Sequence, residues 1–384
     1  MSDTLISTVA TVNAGSPNPE IPCHSLQRLI RYVDGMESFV SVGQNVLLLV
    51  NLRFLESITY LCLVSGIAAM VRDAGGTVMI GDSPWLTDES PSRYWRASGL
   101  SNLASCRHWT LVDFEAEPMI TVALRSHAYY VPEIVLRADV IINVAPVMRH
   151  RRCRLAGGLF NIFGVLPGFK AAQLPRGYTS TGVFCEVAAD LLSVVAPALT
   201  VLDASPVSRH THVVADCRRR LLISTDTVAA DAVAAHSLGL QPDEVPAVRI
   251  ASEAGLGIGW LDGIEQVGDS LYPLRLDNLQ RFQADRSLRL PEIADGLAES
   301  MLWCRPRVDS SKCQRCHHCV DLCPTGALDV EPGTGHVRHN ASLCVACYRC
   351  RESCPEEAVS IQRSWLLNRL GGPDRGWGAG SASS

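Results

Sequence analysis

The sequence predicts an α/β fold, with a mostly parallel sheet that carries helices on both faces, followed by a small α+β domain at the C-terminus. Two continuous apolar runs, NVLLLVN at 45–51 and DVIINV at 139–144, are typical of strands buried on both faces. Segments with helical periodicity alternate with such strands, which favours a parallel sheet. Eight cysteines then fall within two short runs after residue 312, which indicates a separate C-terminal unit.

The elements of the α/β part are predicted from periodicity, caps and stop signals. Ser25 is placed to cap a helix with an apolar stripe, and Ser57 to cap a second helix that Gly75 and Gly76 end. In chain order, the prediction is a helix at 25–33, a strand at 45–51, a helix at 57–73, a strand at 77–80, an irregular excursion over the sheet edge at 85–135, a strand at 139–144, a helix-like stretch at 155–164, a helix at 184–195, strands at 199–203 and 221–224, and helices that begin at 225 or 226 and at 245.

Domain boundaries follow from changes in this pattern. Residues 1–22 are mixed in character and form either a leading strand or a loose arm. The tail after residue 363 is rich in Gly and Ser, which is typical of disorder. The predicted division is an N-terminal arm at 1–24, an α/β domain at 25–275, a helical connector at 276–304, a cysteine-rich domain at 305–363 and a disordered tail at 364–384.

Composition limits the possible environments and partners. The 384 residues are 47% apolar and 19% charged with a net charge of −5, which is ordinary for a soluble globular protein and does not favour a nucleic-acid partner. The N-terminus does not resemble a secretory signal, and the longest apolar uncharged window, Ser57 to Val71, is too short for a membrane span. Seven further cysteines are scattered without pairing logic, so we expect a reducing, cytoplasmic location.

The two cysteine runs carry the clearest chemical signal. Each has the spacing C-x-x-C-x-x-C-x-x-x-C-P, and each element of the second run lies 31 positions after its counterpart in the first. This duplicated run is the bacterial ferredoxin arrangement for two [4Fe–4S] clusters, in which the fourth ligand of each cluster comes from the other run. A zinc ribbon or a disulfide scaffold does not explain the triplets or the strict repeat. The predicted ligands are Cys313, Cys316, Cys319 and Cys354 for cluster 1, and Cys344, Cys347, Cys350 and Cys323 for cluster 2.

A candidate ligand site is predicted where the strands of the α/β domain end. Asp82 and Ser83 follow a strand of a βαβ unit, and open α/β sheets bind ligands at this carboxyl edge. The same side chains also commonly form turns and helix caps. His150 lies among four arginines, which form either an anion-binding patch or a solvated basic loop. Asn161, with its neighbouring glycines, either brings backbone N–H groups to a ligand or allows close helix packing.

Several other polar residues have simpler interpretations. Asp226 is expected to be a helix N-cap and Asp231 a buried acid within that helix. His210 and His212 have the i, i+2 spacing of a strand but lack further metal ligands. Cys153, Cys185 and Cys217 are expected to be small buried residues. His317 and His318 lie within the first cysteine run, where their hydrogen bonds are expected to tune the reduction potential of cluster 1.

The α/β part contains a series of segments whose order and spacing are informative together. They are VLLLVNL at 46–52, AGGTVMIGDSP at 74–84, ADVIINV at 138–144, His150, GGLFNIFG at 157–164, VLDA at 201–204 and STDTVAADAVAAHSLGL at 224–240. With these segments the chain resembles, over residues 25–270, the domain-of-unknown-function family 362, whose members often carry a C-terminal two-cluster ferredoxin module.

The sequence also departs from the family pattern at its cationic positions. Family members commonly have Lys-Pro where this chain has Leu49 and Val50, and lysine where it has Met148 and Phe160. The Gly-rich stretch that the family has after the strand ending near Asp203 is ASPVSRHTHV here. Either the ligand has changed, or the site has partly decayed and the ferredoxin half carries the function.

Two functions follow from these features. The first is an oxidoreductase that passes electrons from an external donor through two [4Fe–4S] clusters to a substrate or cofactor at the α/β domain. The acceptor is either a bound metabolite or another redox protein, and the arginines around His150 favour a small anionic ligand. No nicotinamide or flavin fingerprint is visible in the sequence. The second is a non-enzymatic electron carrier or docking subunit whose α/β domain binds a redox partner protein. A structural or sensing role for the clusters is disfavoured, because two adjacent clusters are suited to a relay.

Overall fold

The structure is a computed structural model of the chain. The residues that it describes are 6–14, 23–55, 58–83, 91–124, 127–150, 153–166, 181–204, 220–270, 304–321, 323, 326–340, 343, 349–352 and 354–363. The predicted connector at 276–304 lies outside these residues except for its last position, and the predicted tail at 364–384, Cys217, His210, His212, Cys344 and Cys347 lie outside them entirely.

The α/β part comprises strands and helices that alternate along the chain. Its strands are β1 (Ser7–Asn13), β2 (Asn45–Leu49), β3 (Thr77–Asp82), β4 (Thr110–Asp113), β5 (Met119–Leu124), β6 (His127–Pro132), β7 (Val140–Pro146), β8 (Met148–His150), β9 (Arg154–Ala156), β10 (Leu199–Asp203), β11 (Arg220–Ser224) and β12 (Ile264–Gly268). Its α-helices are α1 (Cys23–Arg31), α2 (Ile58–Asp73), α3 (Pro91–Ala97), α4 (Leu100–Arg107), α5 (Glu133–Arg137), α6 (Gly158–Asn161), α7 (Thr181–Val195), α8 (Thr227–Ser237) and α9 (Pro246–Glu253).

Eight strands form the main sheet, in the order β12-β1-β11-β10-β7-β2-β3-β4. Within the described residues, β11 is antiparallel to both of its neighbours and the other pairs are parallel. From β2 the chain proceeds through β3 to β4 on one side, and then returns to β7 and β10 on the other. The strand order therefore reverses between β2 and β7, and their carboxyl ends flank a topological switch point, where open α/β sheets commonly bind ligands.

Alternate residues of the sheet point into two separate hydrophobic cores. In β2, Leu47 and Leu49 belong to the core that includes residues of α7, α8 and α9. Val46 and Leu48 belong to the other core, which includes residues of α1, α2 and α4. Because a strand directs successive side chains to opposite faces, both faces of the sheet are covered by helices. The predicted α/β fold class is confirmed.

Two regions differ from the prediction or choose between its alternatives. Residues 7–13 form β1, an inner strand of the main sheet, so of the two interpretations of this segment the leading strand is observed. The predicted irregular segment at 85–135 contains α3, α4 and β4–β6, with the start of α5. The prediction of an irregular segment is therefore wrong here: β4 has only four residues, and β5 is mostly apolar in sequence but exposed or half-exposed along its length.

The C-terminal module is a small α+β unit with its own core. It contains β13 (Cys304–Val308), α10 (His318–Asp321), β14 (Leu328–Val330), β15 (Val337–His339), α11 (Arg349–Glu352) and β16 (Val359–Arg363). β13 pairs with β16 and β14 with β15, both antiparallel. The buried core consists of Cys319, Leu328, Cys350 and Val359. In the described part of the whole chain, no helix is long and apolar enough to cross a membrane.

Candidate metal centre and sheet-edge site

Four cysteine side chains of the C-terminal module line one pocket. Three of them, Cys313, Cys316 and Cys319, come from the first run, and the fourth is Cys354 from the second run. β13 and β16 pair in register from Cys304↔Arg363 to Val308↔Val359, which brings the two ends of the module together. The four residues predicted to ligate cluster 1 therefore surround a common space, although Cys313 and Cys354 are 41 positions apart in the sequence.

The chemistry of this cavity fits an iron–sulfur cluster. Val308, Ala358 and Val359 also line it and provide an apolar wall next to the thiols. Burial raises the pKa of the Cys319 thiol, and the nearby sulfur atoms of Cys313 and Cys316 raise it further. Crowded thiolates of this kind are stabilised by a cationic metal core, which they bind directly. The assignment of each ligand to its cluster stays a prediction.

The two cysteines that precede proline have matching backbone contacts. The Ala327 N–H donates to Cys323 Sγ and the Ala358 N–H donates to Cys354 Sγ, each at 3.2 Å. These pairs are related by the 31-residue repeat, so the duplication in the sequence is also a duplication of local structure. N–H···S hydrogen bonds of this kind stabilise the additional negative charge of a reduced cluster and so raise its potential. For cluster 2, Cys323 and Cys350 lie within the described residues.

In the α/β domain, the Asn161 side chain lies at the switch point between β2 and β7. Its Nδ2 lies 2.9 Å from Asn143 Oδ1, 3.2 Å from the Leu49 carbonyl and 3.3 Å from the Val144 carbonyl. Asn161 is only 4% exposed. Its side-chain amide thus binds the strand ends of the protein itself.

Tyr60 and Asn51 complete this closure, and sequence analysis did not identify the role of either. The Tyr60 hydroxyl donates to the Val144 carbonyl at 2.6 Å and accepts from the Asn51 N–H at 2.8 Å. Asn51 Nδ2 lies 3.3 Å from Asn161 Oδ1. Burial raises the pKa of Tyr60 well above its ordinary value, so the hydroxyl stays protonated and can donate. In the sequence, Asn51 ends a predicted buried strand and lies within one segment of the family resemblance, VLLLVNL at 46–52.

A buried carboxyl group holds one end of the segment 157–164. Asp231 accepts from the N–H groups of Gly158 at 2.7 Å and Leu159 at 2.9 Å. Burial raises the pKa of Asp231 to about 7, while these two N–H groups act in the opposite direction. The backbone N–H groups of Gly158 and Leu159, which the sequence offered as donors to a ligand, therefore donate to the side chain of Asp231. Asp231 is buried within α8, as expected.

At the far end of this segment, Asp82 lies against Gly164. Asp82 Oδ2 accepts from the Leu52 N–H at 2.8 Å, and burial holds the pKa of Asp82 well above its ordinary value. The Ser83 N–H donates to the Gly164 carbonyl at 2.9 Å. Ser83 is fully buried, with its hydroxyl 3.1 Å from Glu115 Oε1. The structure therefore joins Asp82 and Ser83 to the segment that contains Asn161.

The remaining candidates have less direct roles in this arrangement. His150 ends β8, where its backbone pairs with Arg154 of β9. Asp226 caps α8 by accepting from the Val228 and Ala229 N–H groups, as predicted. Cys153 and Cys185 are buried, also as predicted, and their thiols are hydrogen-bonded to each other. The pKa of Cys185 is raised by this contact and by burial, which opposes reactivity.

Two family models match the chain. Residues 49–236 match the Domain of unknown function (DUF362), and residues 306–358 match the 4Fe-4S dicluster domain. The family resemblance predicted from the sequence is confirmed, and so is the prediction of two [4Fe–4S] clusters. A dicluster domain of this type makes the chain an iron–sulfur protein of the electron-transfer class.

Individual proteins are more distantly similar. The Thylakoid-associated protein sll1697 of Synechocystis sp. is 27% identical over 241 residues, which cover 60% of this chain and 74% of that protein. The lactate racemase apoprotein from Thermoanaerobacterium thermosaccharolyticum is 11% identical with a TM-score of 0.37, over 64% of this chain. A protein from Thermotoga maritima is 10% identical with a TM-score of 0.34, over 60% of this chain. This chain spans 59% of each of these two solved structures.

Proposed function

We propose that this chain, which contains a DUF362 domain and a 4Fe-4S dicluster domain, is an electron carrier. Its two clusters would exchange electrons with a redox partner protein, and its α/β domain would serve as the docking part. The observation that carries this proposal is the hydrogen bonding at the switch point, where Asn161, Asn51 and Tyr60 bind strand ends and one another. A carrier needs no small-molecule site at that position, whereas an enzyme of this fold commonly uses it.

The side chains of the C-terminal module have separable tasks in electron transfer. When bound, each cluster supplies a one-electron redox step. Cys313, Cys316, Cys319 and Cys354 would hold cluster 1, and Cys344, Cys347, Cys350 and Cys323 would hold cluster 2. The N–H groups of Ala327 and Ala358 stabilise the negative charge on the thiolates of Cys323 and Cys354. The apolar wall beside the cluster 1 thiols would limit the access of water to the cluster. Access of water is one of the factors that set the reduction potential of a cluster.

A second candidate function is an oxidoreductase that reduces a small anionic ligand at the carboxyl edge of the sheet. The buried acids Asp82 and Asp231 favour it, since raised pKa values of this kind also occur at active sites. In this version Asp82, Ser83, His150 and Asn161 would contact the ligand after the segment at 157–164 moves. A cytoplasmic location suits both candidates, because the scattered thiols and the clusters require a reducing compartment.

The ligand assignment is tested by the metal content of a cysteine variant. Anaerobically purified protein should contain about eight iron atoms and eight sulfides per chain. Cys354→Ser should lose cluster 1, although Cys354 lies in the second run, and should retain about four irons that cluster 2 holds. Cys106→Ser, which replaces an exposed cysteine of α4, should retain about eight. Loss of cluster 2 rather than cluster 1 in Cys354→Ser would contradict the crossed ligand sets.

The choice between carrier and enzyme is tested with the reduced protein. A cell extract is divided by ultrafiltration into a protein fraction and a small-molecule fraction, and each is added anaerobically to reduced protein. For a carrier, we expect the protein fraction alone to restore the absorbance of the oxidised clusters. Reoxidation by the small-molecule fraction, with stoichiometric conversion of one of its components, would instead establish the oxidoreductase.

A further inference from the structure

The loop that contains Cys316 is attached to the turn between β14 and β15. His317 Nε2 lies 3.1 Å from the Gly335 carbonyl oxygen, and because a carbonyl can only accept, the imidazole donates. One residue before Cys316, Arg315 Nη2 donates to His336 Nε2 at 3.3 Å. Two side chains that flank an exposed predicted ligand are therefore bonded to one turn.

The backbone of this loop shows why such an attachment is needed. Arg315 has φ of 56° and His317 has φ of 58°, so both residues are in the left-handed region. Such a conformation is unfavourable for a residue with a side chain and persists where surrounding contacts hold it. The hydrogen bonds to Gly335 and His336 are contacts of this kind, since both link the strained residues to a turn about 20 positions away.

The second run has a different sequence at the equivalent positions. The 31-residue repeat aligns Arg315 with Ala346 and His317 with Tyr348. Alanine has no side-chain donor, and tyrosine carries a hydroxyl group at the end of a longer ring in place of the imidazole N–H. The guanidinium and imidazole donors of the first run are thus not repeated in the sequence of the second run.

We propose that His317 is a positioning residue for cluster 1, because its hydrogen bond to Gly335 holds the loop that presents Cys316. His317 lines the same cavity as the four thiols, so the bond fixes the backbone next to the cluster. Without the bond, the strained loop opens more often and Cys316 leaves its iron more readily. This inference rests on the ligand set proposed for cluster 1, and it assigns the attachment to cluster 1 and not to cluster 2.

The test follows iron release from the intact protein into an excess of a ferrous chelator under anaerobic conditions. His317→Ala should release half of its iron about two- to tenfold faster than the wild type, the factor that a hydrogen bond of about 0.5–1.5 kcal/mol supplies. The other half should be released at the wild-type rate. His317→Gln keeps a side-chain donor, so its rate of iron release should be close to that of the wild type. Arg315→Ala should speed the release of the same half of the iron as His317→Ala does.

A glycine variant separates the hydrogen bond from backbone strain. His317→Gly removes the donor but also removes the cost of the positive φ. We expect it to release iron faster than the wild type and slower than His317→Ala. His236→Ala, at an exposed position near the end of α8, is the matched control and should behave as the wild type.

Two results would overturn the inference. One is wild-type release from His317→Ala, and the other is equal acceleration of both halves of the iron, which would indicate general destabilisation of the module. A wild-type protein with about four irons would instead contradict the ligand assignment in the proposed function. The two failures are therefore distinguishable.

Discussion

Gly164 allows the carboxyl group of Asp82 to lie directly against the backbone of the segment at 157–164. A Cβ atom at this position would overlap Asp82 Oδ1. Asp82 cannot move away freely, since Oδ2 accepts from the Leu52 N–H and the side chain is 5% exposed. The absence of a side chain at residue 164 is thus what permits a buried acid beside the end of β3.

Gly164→Ala should destabilise the α/β domain by about 1–3 kcal/mol, because overpacking displaces Asp82 or the segment. The matched control is Gly182→Ala in α7, where an added Cβ would have no neighbour within 4 Å. That change should be neutral or stabilise the domain by up to about 1 kcal/mol, as expected for alanine in a helix. Urea denaturation followed by circular dichroism measures both. Equal stability of the two variants would show that the contact with Asp82 carries no cost.

At the scale of elements, the segment at 157–166 closes the carboxyl edge between β2, β3 and β7. Asp231 of α8 holds one end through two backbone N–H groups, and Ser83 holds the other through the Gly164 carbonyl. On another side, Phe163 stacks on Phe184 of α7 with ring centroids 4.2 Å apart. Parts of α7, α8 and β3 therefore fix one short segment in place.

The pH dependence of stability should report the Asp231 contact. Its pKa of about 7 in the folded protein is above that of an unfolded aspartate, so the folded state binds the additional proton. Stability from this group is present at low pH and is lost as the pH rises through about 7. The loss between about pH 5.5 and about pH 7.5 should be about 2 kcal/mol.

Asp231→Asn should remove this part of the pH dependence. It should also lower stability by about 1–3 kcal/mol at pH 5.5, because an amide has one acceptor oxygen for the two N–H groups of Gly158 and Leu159. Urea denaturation at the two pH values measures both effects. Asp262→Asn, at an exposed position, should retain the wild-type dependence. An unchanged pH dependence in Asp231→Asn would assign the titration to another group.

At the scale of the whole molecule, the two parts of the chain are stabilised in different ways. The α/β domain has two extended cores that cover both faces of its sheet. The core of the C-terminal module contains four buried residues within the described part, and two of these, Cys319 and Cys350, are predicted cluster ligands. A core this small depends on its metal for stability, since small domains commonly need such a cross-link.

Removal of iron by a chelator should therefore unfold the module and leave the α/β domain folded. Hydrogen exchange followed by mass spectrometry should show loss of protection in β13–β16 and retained protection in β2, β7 and β10. Loss of protection in the strands of the main sheet would show instead that the domain depends on the clusters. Addition of iron and sulfide should restore protection in the module.

The sequence by itself determined the features that are encoded over short distances. Buried strands such as β2 and β7 were predicted from continuous apolar runs, and the cap of α8 from Asp226. The duplicated cysteine spacing predicted two clusters, because three thiolates in one loop and a repeated Cys-Pro leave few alternatives. These signals are local, so they do not depend on how the chain returns to itself.

The long-range contacts at the carboxyl edge of the sheet are visible only in the folded chain. Asn161 binds the Leu49 carbonyl across 112 positions of sequence, and Gly158 binds Asp231 across 73. Asp82, Ser83 and Asn161 have hydrogen-bond partners within the protein itself, and their role in binding a ligand stays a prediction. Such contacts depend on the order and direction of strands, which residue periodicity does not encode. For the same physical reason, β1 and β4 were established as strands of the main sheet only by their long-range pairing.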